Sequence, residues 1–213
     1  AQHIEELTSM LQLCQENGTR LLLISAPKTT LDVVSYETYF DDYAYFKQLA
    51  AQYGASYYDF NLAKPELFEN KEPDYHKDFT HMNAAGGHAF SLSMAKFLAM
   101  LDAGQDVESL FETPSEYLVA VNYITNVYMT PEVHPDKILL LAGSYHGPSV
   151  QAEYEFWVKA PGESEYSRVS AYSTRSWTEY AAAEHGTYQF RVNARIVGSS
   201  ADFERYYECS VDF

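Results

Sequence analysis

Three things are scarce in this chain: cysteine, basic charge and long apolar runs. Only two cysteines, Cys14 and Cys209, occur in 213 residues. A bridge between them would have to join two segments of different character, so no disulfide is expected. Cys14 instead completes an apolar stripe with Ile4, Leu7 and Leu11, as a small core residue does. Cysteine usage leaves the compartment open. Lysine and arginine number 14 against 30 acidic residues, for a formal net charge of −16. The acidity is spread over both halves, which reads as solubility and argues against nucleic acid or an anionic membrane surface as partner. The longest apolar run, Leu21-Leu22-Leu23-Ile24, falls far short of the about 20 residues that span a bilayer, so no membrane insertion is expected. No basic-then-apolar leader stands at Ala1, and the sequence reads as a mature chain or a piece of a longer one. No repeat of roughly 20–50 residues is visible.

What is present is an ordinary globular composition, 46% hydrophobic and 21% charged, with room for one large domain or two modest ones. The first part alternates helical and strand patterns. Ile4, Leu7, Leu11 and Cys14 recur at helical spacing and Asn17-Gly18 stops them. Arg20 to Ala26 is a continuous apolar run ended by Pro27, which suits a strand covered on both faces. Tyr43, Phe46, Ala50 and Tyr53 mark a second helix closed by Gly54. A short strand from Ala55 to Phe60 and an irregular acidic loop from about Lys64 to Met82 lead to a last helix, with Phe90, Met94, Phe97 and Leu101 on one face. The order predicts an α/β segment, residues 1–102, with part of a doubly wound parallel sheet. Two strands are too few, since such sheets hold about five or more. The missing strands are expected before Ala1, and self-association through the open sheet edges is the alternative.

Residues 103–115 read as a polar linker ending in Thr-Pro-Ser. In 116–213 the helical period vanishes. Short alternating runs replace it: 117–128, 137–144, 151–159, 166–173, 176–180, 187–197 and 203–213. This pattern predicts an all-β, immunoglobulin-like sandwich. Glu184 to Tyr188 resembles a tyrosine corner, in which a Tyr hydroxyl bonds back to the loop before its strand.

The densest group of titratable residues is Asp74-Tyr75-His76-Lys77-Asp78-Phe79-Thr80-His81-Met82-Asn83, followed by Ala84-Ala85-Gly86-Gly87. An Asp three residues before a His at a helix start can fix the imidazole tautomer and leave its second nitrogen as a general base. Asn83 suits the N-cap. Asp74, His76, Asp78 and His81 also pass for a set of metal ligands, and a solvated acidic loop is the third reading. No metal and no cofactor is expected.

Asp78-Phe79-Thr80-His81-Met82-Asn83-x-x-Gly86 resembles the Asp-x-x-His-x-Asn-x-x-Gly block that closes the catalytic domain of SGNH/GDSL hydrolases, particularly relatives in bacterial cell-envelope O-acylation. Leu21 to Pro27 and Tyr57-Tyr58-Asp59-Phe60-Asn61 fit the same resemblance, which covers about residues 1 to 102. It implies His81 as general base, Asp78 as its orienting partner, Asn83 in substrate binding and an acylated glycan as substrate. The family's nucleophilic Ser turn and oxyanion Gly and Asn have no recognisable counterpart here. Ser25 ends a strand but lacks the small-residue turn that exposes a nucleophile. The chain by itself is therefore expected to be inactive.

In the second half Tyr154, Phe156 and Val158 alternate inward, placing Trp157 outward with Glu153 and Glu155. An outward Trp stacks on a sugar ring or packs beneath a loop; Trp177 is expected in the core. Tyr154-Glu155-Phe156-Trp157-Val158-Lys159, Trp177 and Gly186-Thr187-Tyr188-x-Phe190-x-Val192 resemble triple-tyrosine or fibronectin-type-III-like accessory modules. That resemblance implies an extracellular or bacterial cell-surface location. The expected activity is that of a serine esterase or acyltransferase on O-acyl groups of envelope or extracellular glycans. The alternative is a non-catalytic glycan-binding or adhesion protein using Trp157.

Overall fold

The computed structural model describes residues 2–76 and 80–213. The chain divides into two compact units, Ala1–Tyr117 and Leu118–Phe213. The first mixes helices with parallel strands and the second is a β-sandwich.

In the first unit, α1 (Gln2–Glu16) leads into β1 (Leu22–Ser25), and α3 (Tyr39–Gln52) leads into β2 (Ser56–Asp59). The two strands pair in parallel, from Leu22 opposite Ser56 to Ser25 opposite Asp59. Among the described residues they form a sheet of their own. Gly54 follows the last turn of α3 at φ +69°, a left-handed conformation that glycine adopts without a Cβ penalty. A short helix absent from the sequence reading, α2 (Thr30–Ser35), is capped by the Thr29 hydroxyl, which accepts from Asp32 N at 3.3 Å. Its six residues are too few to show a helical period.

One sheet face packs on α4 (Ala84–Asp102). Phe90, Met94, Phe97 and Leu101, the expected apolar face of that helix, join Leu22, Ile24, Tyr58 and Phe60 in one core. The expected linker does not behave as one. Val107 is 4% exposed in the same core, and the Phe111 ring stands 5.4 Å from that of Phe60. Lys64 N donates to Leu110 O at 2.9 Å and Glu112 N to Leu62 O at 2.8 Å, so residues 107–112 clamp the chain after β2. Buried Val107 and partly buried Phe111 outweigh the polar composition that surrounds them. Thr113-Pro114-Ser115-Glu116 then starts α5 (Pro114–Ala120) instead of a strand. Glu116 N donates to Thr113 Oγ1 at 3.2 Å and Thr113 N to Glu116 Oε2 at 2.7 Å, a capping box with proline at the first helical position.

In the second unit β3 (Ile124–His134), β4 (Lys137–His146) and β7 (Trp177–Tyr180) form one sheet, and β6 (Ser167–Ser173), β5 (Ala152–Lys159), β8 (Thr187–Ile196) and β9 (Arg205–Asp212) form the other. All neighbours are antiparallel. Ile124, Val127, Met129, Ile138 and Leu140 from the first sheet meet Tyr154, Phe156, Val158, Tyr188, Phe190 and Val192 from the second in a single core. This inward set matches the expected alternation. Tyr188 Oη donates to Glu184 O at 2.9 Å and accepts from Glu184 N at 3.3 Å, which closes the tyrosine corner. Trp177 is not in the core: it is 42% exposed, with the Arg175 guanidinium 4.7 Å over its ring. Pairing of Leu140 with Thr178 turns Thr178 inward, and strand parity then turns Trp177 out.

Candidate functional site

Two places gather polar side chains: the carboxyl edge of the β1–β2 pair, and the outer face of the four-stranded sheet.

At the first, Asp59 ends β2 with only 2% exposure. Its carboxylate accepts from Tyr39 Oη at 2.7 Å, Asn61 N at 3.0 Å and Asn61 Nδ2 at 2.8 Å. Burial raises the Asp59 carboxyl above its ordinary value, against the pull of these donors. Burial and then the Asp59 charge hold the Tyr39 hydroxyl far above its usual range, so it remains a donor. Asn61 ties the two strand ends together: its Nδ2 also reaches Ala26 O at 3.2 Å, and its Oδ1 accepts from Lys28 N at 2.6 Å. Ser25 closes β1, and burial pushes the Tyr57 hydroxyl on the neighbouring strand up to about 12.

The His81 loop connects to this edge. Tyr75 and Met82 form an antiparallel bridge, and His76 N donates to His81 O at 2.8 Å. Tyr75 Oη donates to Asn70 Oδ1 at 2.8 Å, and Asn70 Nδ2 donates to Lys28 O at 2.7 Å. Lys28 is the residue that Asn61 already holds. The loop is thus wired to the ends of both strands. His81 is exposed at the turn before α4. Asp78, its expected partner, lies outside the described residues.

Asn83 is the N-cap of α4: its Oδ1 accepts from Ala85 N at 2.9 Å and Gly86 N at 3.1 Å. Its Nδ2 donates to Pro73 O at 2.8 Å. That amide is committed to shaping the loop, which is what this side chain does in the structure. Gly86 allows the helix to approach the loop, because a Cβ there would lie 2.4 Å from Asp74 O. Alanine gains about 1 kcal/mol in helix propensity, whereas overpacking against backbone costs about 1–3 kcal/mol. With a backbone oxygen 2.4 Å away the upper end of that cost applies, so Gly86→Ala is expected to lose about 2 kcal/mol in urea unfolding followed by circular dichroism. An unchanged midpoint would show that the approach is looser than the geometry gives. Among the described residues no group of three or more His, Cys, Asp or Glu side chains is placed to hold a metal ion.

At the second place Trp157 is outward, as expected, and half-buried. Its Nε1 donates to Glu155 Oε2 at 2.9 Å. Glu155 is 7% exposed and also meets Asn193 Nδ2 at 3.4 Å and Arg168 Nη1 at 3.5 Å. Arg195 pairs with Glu153 at 2.6 Å and lies 3.9 Å over the Tyr172 ring. Arg191 donates to Asn193 Oδ1 at 2.9 Å and lies 4.3 Å over Tyr206. Of these groups Glu155, Trp157, Tyr172, Arg191, Asn193 and Arg195 border a cavity of about 400 Å³. The sequence reading gave no site role to Asp59 and Asn61, which it noted only as part of the resemblance, nor to Tyr39, Asn193, Arg191 and Arg195. The last three share the strand parity of Trp157, but only the register opposing Glu155 to Asn193 and Trp157 to Arg191 brings them together.

No protein-family model matches this chain, and no curated protein matches it.

Proposed function

We propose that residues 1–117 supply the closing part of an SGNH-like serine esterase or acyltransferase domain acting on O-acyl groups of extracellular or envelope glycans, with a fibronectin-III-like module attached. In this reading His81 is the general base and Asp78 orients it. The nucleophilic Ser and the oxyanion donors come from strands that pair with the open edges of the β1–β2 sheet, supplied by a preceding segment rather than by a second copy. The chain acts outside the cytoplasm.

The observation that carries the reading is the hydrogen-bonded run Tyr75–Asn70–Lys28–Asn61–Asp59, which anchors the His81 loop at the carboxyl ends of two parallel strands. Open α/β sheets bind and transform ligands at that edge. In this reading the His81 imidazole faces the crevice in which a Ser on a neighbouring strand end presents its hydroxyl. The backbone at His81 is held by the bond from His76 N, the Tyr75–Met82 bridge and the α4 cap, which supports the preorganisation that proton transfer needs.

The test is ester hydrolysis by a protein that carries this chain together with the residues encoded before it, using p-nitrophenyl acetate and an O-acetylated glycan. His81→Ala is expected to lower kcat by at least about 100-fold with the fold intact. Equal rates in the two proteins would remove His81 from catalysis and sink the proposal.

A further inference from the structure

The outer face of the β6–β5–β8–β9 sheet holds a set of groups that the esterase reading does not use. We infer that this face is a binding site for a neutral pyranose unit of an oligosaccharide, with Trp157 as its stacking platform. The inference stands on the sandwich alone and holds whether or not the first unit belongs to an esterase.

The platform is preorganised. The Trp157 indole is pinned at Nε1 by a carboxylate that is itself fixed from two other sides, by Asn193 and Arg168. No aromatic or cationic group among the described residues stacks on the Trp157 ring, in contrast to Tyr172 and Tyr206, each covered by a guanidinium. An indole held at its edge, lining the cavity with no ring or guanidinium stacked on it, offers an apolar plane to the C–H face of a sugar at little entropic cost.

Around the platform stand the polar groups that hydroxyls need. Asp202 lines the cavity, and its carboxylate receives no hydrogen bond from the described residues; its backbone carbonyl accepts from the Tyr172 hydroxyl. Arg195 uses Nε on Glu153 and Nη1 on Ala201 O, so its Nη2 keeps its donors. An acceptor and a planar donor beside one aromatic face match vicinal hydroxyls, which both donate and accept. The volume of about 400 Å³ falls in the roughly 300–1,000 Å³ range of small-molecule sites.

Charge selects a neutral ligand. The lining carries Glu155 and Asp202 against Arg191 and Arg195, so it balances. Both arginines already face acids, Arg195 at Glu153 and Arg191 at Glu208. An anionic sugar would meet two carboxylates within the site and a net charge of −16 around it. A cationic sugar would meet the Arg191 and Arg195 guanidiniums, which line the same cavity.

The test uses the full 213-residue chain. Maltohexaose, cellohexaose and N-acetylchitohexaose are titrated by calorimetry, with hexagalacturonate and chitosan hexamer as anionic and cationic comparators. At least one neutral oligosaccharide is expected to bind saturably below about 10 mM. Trp157→Ala is expected to weaken that binding about tenfold or more, and Asp202→Asn about threefold. Asp202→Asn removes no hydrogen bond of the fold, so it decides the matter even where Trp157→Ala fails to fold. Binding of only the charged comparators, no saturation by any neutral probe, or neutral binding unmoved by Asp202→Asn would each overturn the proposal.

Discussion

Phe60→Ala is expected to destabilise the first unit by about 4 kcal/mol, the usual cost of deleting a fully enclosed phenyl ring. Phe60 is 0% exposed. Its ring stands edge-on to Phe90, Phe97 and Phe111 at 5.2, 5.4 and 5.4 Å. These neighbours come from α4 and from the segment after it, so the vacated space is bordered by independent elements that cannot collapse together. The chain offers a way to see this loss in isolation. Both tryptophans, Trp157 and Trp177, belong to the second unit. Helices α1 to α4 all belong to the first. Far-ultraviolet circular dichroism therefore follows the first unit mainly, and tryptophan fluorescence follows the second alone. In Phe60→Ala the helical transition is expected to move to much lower urea while the fluorescence transition stays in place. A fluorescence midpoint that falls in step would show that the two units unfold as one.

The elements were legible where side-chain period and burial coincide. Arg20 to Ala26 read as a strand because it is a continuous apolar run, Ala55 to Phe60 read as a short strand after it, and both contain the strands found. In the sandwich, period-two alternation put Tyr154, Phe156 and Val158 on the correct face. Short elements with weak period escaped. α2 spans under two turns, and α5 announces itself only by the box Thr113–Glu116, whose proline and serine also suit a linker. Val107 and Phe111 escaped for a related reason: two apolar side chains in a polar stretch become a clamp only when Leu62 and Lys64 are known to run beside them. The candidate site divides in the same way. A local block of sequence drew attention to His81 and to Asn83 as a cap. The chain of contacts that anchors them runs from residue 39 to residue 75, and nothing in the spacing reveals such a chain.

Asp59 is where that chain of contacts can be tested most sharply. Asp59→Ala removes the acceptor for Tyr39 Oη and for Asn61 N, two donors enclosed beside the core. An orphaned enclosed donor costs about 1–3 kcal/mol, so the combined loss is expected to be about 3 kcal/mol at neutral pH. Asp59→Asn keeps an acceptor oxygen and loses less, but it removes a titration, and the sign of that titration is fixed. Burial raises the folded carboxyl above its ordinary value of 3.8. Between those two values the folded state binds more protons than the unfolded chain, so the Asp59 contribution to stability is largest at low pH and falls as pH rises through the window. Measured as the difference between the wild type and Asp59→Asn, stability is therefore expected to shift against the wild type as pH climbs from below 3.8. Using the difference cancels the many exposed acids of this chain, whose titration is common to both proteins. A difference that instead grows in favour of the wild type would mean that the three donors outweigh burial. Asp59 would then be an anchored charge, and the tie between β2 and the His81 loop would be stronger than burial allows.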